Sequence, residues 1–216
     1  RAPQRERAST EAYEMPPRAG ERGSSAPRMP NQKMKPWKHV SGSLIQRTRI
    51  FDLRSEVFIS PRTGLEVDAT VVDSPDWANV VALTPERQVL LIRQFRFGPR
   101  AHTLEIPAGA VDEGEEPLYA AMRELKEETG YEAEGWTSLG SISPNPAFQN
   151  NRLYCFLAEG CRKVSGQELD PGEDIEVELH DLERIPGMLA SGEIDHALIA
   201  IAFQKLALKQ QGFGLV

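Results

Sequence analysis

The segment from Gly109 to Tyr131, GAVDEGEEPLYAAMRELKEETGY, constrains this chain more than any other part of it. Its first half has loop chemistry, with Gly109, Asp112, Glu113 and Gly114 ahead of Pro117, whose missing N–H is not needed in the first turn of a helix. From Leu118 to Thr129 every residue tolerates or favours a helix, and Gly130 supplies the stop. At about 100° per residue, Leu118, Ala121, Met122 and Leu125 are predicted to share one apolar face. Glu124, Glu127 and Glu128 share a different arc, because residues three and four apart are neighbours on a helix. Three carboxylates on one arc repel one another. A hard divalent cation such as Mg2+ removes that penalty and prefers oxygen ligands. Arg123 is placed to hold a carboxylate in a fixed pose.

These residues resemble the signature of the Nudix hydrolase family: Gly109, then Glu115, then Arg123-Glu124-Leu125, Glu127-Glu128 and Gly130 at the family's spacing. Only Tyr131 departs, an aromatic where a smaller aliphatic residue is usual. At a residue usage of about one in fifteen, a chance match in a chain this long is roughly a one-in-a-million event. A merely solvated charged helix does not explain it. Around the signature, Leu104-Glu105-Ile106-Pro107-Ala108-Gly109 resembles the entry seen in ADP-ribose pyrophosphatases and related nucleoside-diphosphate-sugar hydrolases. Pro146 stands at the proline position which that branch carries beyond the signature, and Gln94-Phe95-Arg96 resembles its nucleotide-approaching strand. Gly172-Glu173-Asp174-Ile175 is similar to its late catalytic loop. The stretch Pro144–Asn151 departs from the acidic Ser-Pro-Gly-Phe-type loop of many such enzymes, which leaves the choice of sugar nucleotide open.

The resemblance implies an α/β fold, a Nudix-type α/β/α sandwich with a mixed β-sheet, preceded by a small N-terminal antiparallel β-domain exchanged between the subunits of a homodimer. It implies Glu124, Glu128 and the Ala108 carbonyl as ligands for Mg2+, with Mn2+ a substitute. Glu127 is either a further ligand or the partner of Arg123, and Glu115 supports the site. Arg96 and Glu105 stand on the substrate side, Arg96 reading equally well as an ordinary strand-edge arginine. Phe148 is either a base-stacking residue or an apolar loop anchor. Glu173 is the candidate mobile acid–base residue, with Glu168 and Asp174 as its competitors. The implied activity is hydrolysis of the pyrophosphate bond of a nucleoside diphosphate sugar such as ADP-ribose. The alternatives are another nucleotide class (dinucleoside polyphosphates or oxidised nucleoside triphosphates), or a non-catalytic nucleotide-sugar sensor. Sensors tend to lose signature acids, and here they are intact.

The rest of the chain is consistent with that frame. A net charge of −7 does not suit binding of nucleic acid by counterion release, so no nucleic-acid partner is expected. No apolar run approaches a membrane span, and none forms a signal-peptide core. Cys155 and Cys161 suit a reducing cytoplasm better than a disulfide framework. His39, His102, His180 and His196 are too scattered for a histidine metal site. Residues 1–36, rich in Arg, Glu, Pro, Ser and Gly, are expected to be a disordered tail, and the opening on Arg1 points to an extended upstream reading with Met29 or Met34 as starts. Residues 37–75 read as short antiparallel strands forming a dimerisation region, and residues 76–216 as the Nudix domain. Further strands are expected at Asn79–Leu83, Val89–Gln94, Thr103–Ile106, Trp136–Ile142, Arg152–Ala158 and Ile175–Leu179. Helices are expected over Asp181–Ser191 and His196–Lys209, the latter with Ala197, Ile201 and Leu208 inward. Deleting residues 1–36 is expected to change neither thermal stability nor activity, because their composition offers no core contacts. A large loss of either in the truncated protein would show that the tail docks.

Overall fold

A computed structural model describes residues 34–211. The expected tail therefore lies almost wholly outside the described residues. The strand β4 (Trp77–Leu83) is apolar almost without alternation, and every residue from Ala78 to Leu83 is buried. Such a run suits a strand covered on both faces. It is central in a seven-stranded mixed sheet that also contains β5 (Gln88–Arg96), β6 (Ala101–Glu105), β7 (Ala108–Ala110), β9 (Gly135–Ile142), β10 (Leu153–Glu159) and β12 (Ile175–Asp181). The order is β12-β5-β4-β10-β9, with β6 paired to β5 and β7 to β4. Only the β10–β4 pair is parallel.

Alternation along β4 divides the core. Ala78, Val80 and Ala82 face the helix α1 (Pro117–Thr129) through Ala120, Ala121 and Leu125. Val81 and Leu83 face α2 (Ile185–Ser191) and α3 (Ala197–Gln210) through Ile185, Met188, Ile199, Ala202 and Phe203. The result is helix, sheet, helix: an α/β/α sandwich. A three-stranded antiparallel sheet precedes it, built from β1 (Lys38–Arg47), β2 (Asp52–Ile59) and β3 (Glu66–Asp73). Val72 ties this sheet to the sandwich, donating to the Phe148 carbonyl at 2.7 Å. Among the described residues, no helix is long and apolar enough to cross a membrane.

Several expectations are corrected. Met122 is exposed, and the buried arc of α1 is Ala121, Leu125 and Glu128, so a carboxylate occupies the stripe where an apolar residue was expected. Along α3 the inward residues are Ile199, Ala202, Phe203 and Leu206, while Ala197 is exposed and Ile201 and Leu208 are half-buried. That helix is apolar on most sides, and Lys205 is buried among the inward residues, its Nζ donating to the Leu139 carbonyl at 3.1 Å. Polarity therefore did not mark its outer face. The helix expected over Asp181–Ser191 begins as the end of β12, passes through a 3-10 turn (Leu182–Arg184), and becomes α-helical only at Ile185. The short strands β7, β8 (Tyr131–Glu132) and β11 (Arg162–Lys163) were not anticipated; β8 and β11 pair only with each other.

Both α1 and α2 end on a left-handed glycine, Gly130 at φ 76° and Gly192 at φ 78°. A Cβ at Gly192 would meet open space, whereas one at Gly130 would overlap the carbonyl oxygen of Ser165. Gly192→Ala is therefore expected to cost only the conformational penalty of about 1–2 kcal/mol. Gly130→Ala is expected to cost clearly more, because backbone must move as well. Equal losses in chemical denaturation would refute the crowding argument.

Candidate active site

The site is built where α1 lies against β7. Pairing of β7 with β4 sets Ala108 opposite Asn79 and Gly109 opposite Ala78. Gly109 needs no unusual backbone angle; it needs the absence of a side chain. A Cβ there would overlap the Glu124 carboxylate, so the glycine lets an acid of α1 rest against the β7 backbone. One turn further along, Glu128 is 3 % exposed and its Oε2 accepts the Ala108 N–H at 3.0 Å.

Arg123 organises the other acids. Its Nε and Nη2 bond both oxygens of Glu115 at 3.2 and 3.1 Å, and Nη2 also donates to the Ala110 carbonyl at 3.0 Å. Its Nη1 reaches Glu124 Oε1 at 2.8 Å and Glu127 Oε2 at 3.1 Å. Glu127, like Glu124, accepts from Arg123, and its side chain is 40 % exposed. The guanidinium beside Glu115 holds that carboxyl below its ordinary range. Glu124 is pushed up, chiefly by burial, with the charges of Glu127 and Glu173 adding to it against the pull of Arg123. Glu128 is pushed well above the ordinary range by burial, opposed by the Ala108 N–H, with Glu124 and Glu173 raising it further.

Each buried acid is thus held through one oxygen, Glu124 through Oε1 and Glu128 through Oε2. Among the described residues the other oxygen of each has no hydrogen-bond partner. Two largely desolvated carboxylates with incomplete charge compensation, beside a glycine cradle, fit a hard divalent cation. Among the described residues, no group of three or more His, Cys, Asp or Glu side chains is already gathered as a metal site.

On the β5–β6 hairpin, Arg96 and Glu105 form a two-pronged bridge, Nε to Oε1 and Nη2 to Oε2, both 2.8 Å. Thr103 Oγ1 donates to Glu105 at 2.7 Å. Burial pushes the Glu105 carboxyl up, but the bonds to Arg96 and Thr103 outweigh it and leave the carboxyl below its usual range. Arg96 is half exposed and senses the charges of Glu128 and Glu173. Glu173 therefore lies within electrostatic reach of Arg96, Glu124 and Glu128. Its competitor Glu168 instead influences Lys126. Glu173 is folded back on its own loop, its Oε2 accepting the Asp170 N–H at 3.1 Å and its N–H bonding the Asp170 carbonyl at 2.9 Å. Phe148 lines a different concavity of about 460 Å3, with Arg54, Phe58, Val71 and Asp73 of the N-terminal sheet.

Two contributors were missed from the sequence. Thr103 orients Glu105, and Gln167 binds the carbonyls of Glu128 and Ile175. A threonine in a strand and a glutamine in a polar loop carry no pattern that would mark them; only the fold brings them to the acids.

A model of the NUDIX domain matches residues 75–200. The chain is 34% identical over 174 residues to the ADP-ribose pyrophosphatase of Bacillus subtilis (strain 168), covering 80% of this chain and 94% of that protein. It is 31% identical over 141 residues to the methanol dehydrogenase activator of Bacillus methanolicus, covering 65% and 76%. A crystal structure of ADP compounds hydrolase shares the fold, with a TM-score of 0.74 at 22% identity, over 86% of this chain and 100% of that one. With the signature acids gathered on α1 as described, the chain belongs to the NUDIX hydrolase family.

Proposed function

We propose that this protein hydrolyses the pyrophosphate bond of a nucleoside diphosphate sugar such as ADP-ribose, adding one water to give AMP and ribose 5-phosphate. The observation that carries this reading is that Glu124 and Glu128 are each fixed through one carboxylate oxygen and offer the other. Similarity to relatives named ADP-ribose pyrophosphatase supports the choice of substrate. Divalent ions, Mg2+ with Mn2+ as a substitute, held by Glu124, Glu128 and the Ala108 carbonyl, supply charge neutralisation at the pyrophosphate and make the attacking water more acidic.

The chain's own residues do the rest. Arg123, clamped by Glu115, keeps Glu124 in one rotamer. Glu105 acts on the substrate through Arg96: with two guanidinium N–H groups committed to Glu105, the remaining ones are left to bind a phosphate oxygen. Glu173 takes the proton of the attacking water once its loop turns inward. Phe148, half exposed, lines the concavity formed with the N-terminal sheet, which suits its alternative reading as an apolar loop anchor. The free, buried cysteines suit a reducing compartment such as the cytoplasm.

A panel of ADP-ribose, GDP-mannose, UDP-glucose, a diadenosine polyphosphate and dNTPs tests the substrate class, with ADP-ribose expected to turn over fastest. Chelation of divalent ions is expected to abolish that turnover. Glu128→Gln should lower kcat by orders of magnitude while the metal-free variant is at least as stable as the wild type, because a buried, poorly compensated charge has been removed. Near-normal metal-dependent hydrolysis by the variant would reject Glu128 as a ligand.

The same reading includes a homodimer joined through exchanged Trp37–Val72 strands. All of β1 is exposed, with Val40, Leu44 and Ile45 about half accessible, as are Trp37 beside it and Val67 on β3. An edge strand with that much apolar surface is a natural place for a second subunit. Sedimentation at micromolar concentration should show a dimer, and Leu44→Asp with Ile45→Asp should shift it to monomer. A monomeric wild type would reject the assembly and leave the chemistry untouched.

A further inference from the structure

We propose that Gln167 is a positioning residue that fixes the loop carrying Glu173 onto the metal-binding helix. The inference rests on the hydrolase reading above and adds a residue to it.

The last carbonyls of an α-helix lack partners within the helix. For α1 the segment after β11 supplies them. Val164 and Ser165 both donate to the Gly130 carbonyl, at 2.9 and 3.1 Å, and Glu168 donates to the Glu127 carbonyl at 2.8 Å. The Glu128 carbonyl is met by a side chain: Gln167 Nε2 donates to it at 2.7 Å. The same nitrogen donates to the carbonyl of Ile175, the first residue of β12, at 3.0 Å. Both hydrogens of one amide are therefore engaged, one on the backbone of Glu128 itself and one on a strand locked into the sheet opposite Gln94.

Gln167 and Ile175 are the two ends of the loop that holds Glu173. Closing a loop at its base reduces the conformations its tip can sample. Between the closure and the tip, the loop is held by the mutual bonds of Asp170 and Glu173. Glu173 can swing within this frame, but the frame is referenced to Glu128. Few side chains can do this at position 167. Both partners are carbonyl oxygens, so the group between them must donate twice; a carboxylate or thioether of similar length cannot.

The test is Gln167→Met, alone and combined with Glu173→Gln, assayed with whichever pyrophosphate substrate the wild type turns over best. Gln167→Met should lower kcat about tenfold or more, as expected for a displaced catalytic group, with KM little changed. Its Tm should fall by only a few degrees, since Gln167 is itself exposed and fills no core, although the carbonyls of Glu128 and Ile175 lose a donor. In the Glu173→Gln background the same change should lower kcat no further, because its effect passes through Glu173. Amide hydrogen exchange over Asp170–Ile175 should be faster in Gln167→Met. Gln167→Lys, which restores donors, should recover part of the loss.

Full kcat in Gln167→Met, or an equal loss on top of Glu173→Gln, would overturn the inference, as would unchanged exchange in the loop. Failure of the substrate reading shows separately, as a wild-type protein inert toward ADP-ribose.

Discussion

Two carboxylates one helical turn apart are buried against a strand with too little positive charge around them, and most of the local structure follows from having to keep them there. A buried unpaired carboxylate costs several kcal/mol even after relaxation. Glu124 is kept by Arg123, and Glu128 by a single backbone N–H. The glycine at 109 admits the first carboxylate, and β7 exists to present both that glycine and the Ala108 N–H. Arg123 in turn is fixed by Glu115 from the preceding loop, which explains why the signature needs an acid so far before the helix. What remains uncompensated is the attraction for a cation.

Much of this was legible because the signature is local. Pro117 and Gly130 mark the ends of α1, and the structure places the helix between them. The strands of the central sheet were legible from apolar runs bounded by turn residues, as in β4 and β10. Phase was harder. On α1 the stripe of Ala121 and Leu125 continues into Glu128, so a rule that sends acids outward assigns Met122 to the core instead. The misassignment has a functional cause: the residue that breaks the pattern is the one the site needs. On α3 the cause is Lys205, a buried lysine satisfied by the Leu139 carbonyl, which hid the inward face.

The parts of the site that depend on sheet register were only partly legible. Arg96 and Glu105 meet because the β5–β6 hairpin pairs Arg96 with Ala101 and Ile92 with Glu105, placing arginine and glutamate on one face. A resemblance suggested both residues, but neither spacing nor charge showed that they bind each other. Neither spacing nor charge separated Glu168, Glu173 and Asp174; in the structure the charge of Glu173 reaches Glu124, Glu128 and Arg96.

Seen together, these contacts clamp α1 at its middle and at its C-terminal end. At the middle, Arg123 joins the helix to Glu115 and the Ala110 carbonyl. Behind it, the segment 164–168 covers the carbonyls of Glu127, Glu128 and Gly130. Glu124 follows Arg123 directly, and Glu128 sits in the last turn, where the bonds from segment 164–168 oppose fraying. Hydrogen-bonded helix sets their separation at about one turn, roughly 5.4 Å of rise per turn. A site on rigid backbone keeps its geometry without substrate, and in the proposed reading the acid–base residue, Glu173, stands on a loop instead. On the proposed reading, the contacts that hold Glu124 and Glu128 still are also the reference from which Glu173 is positioned.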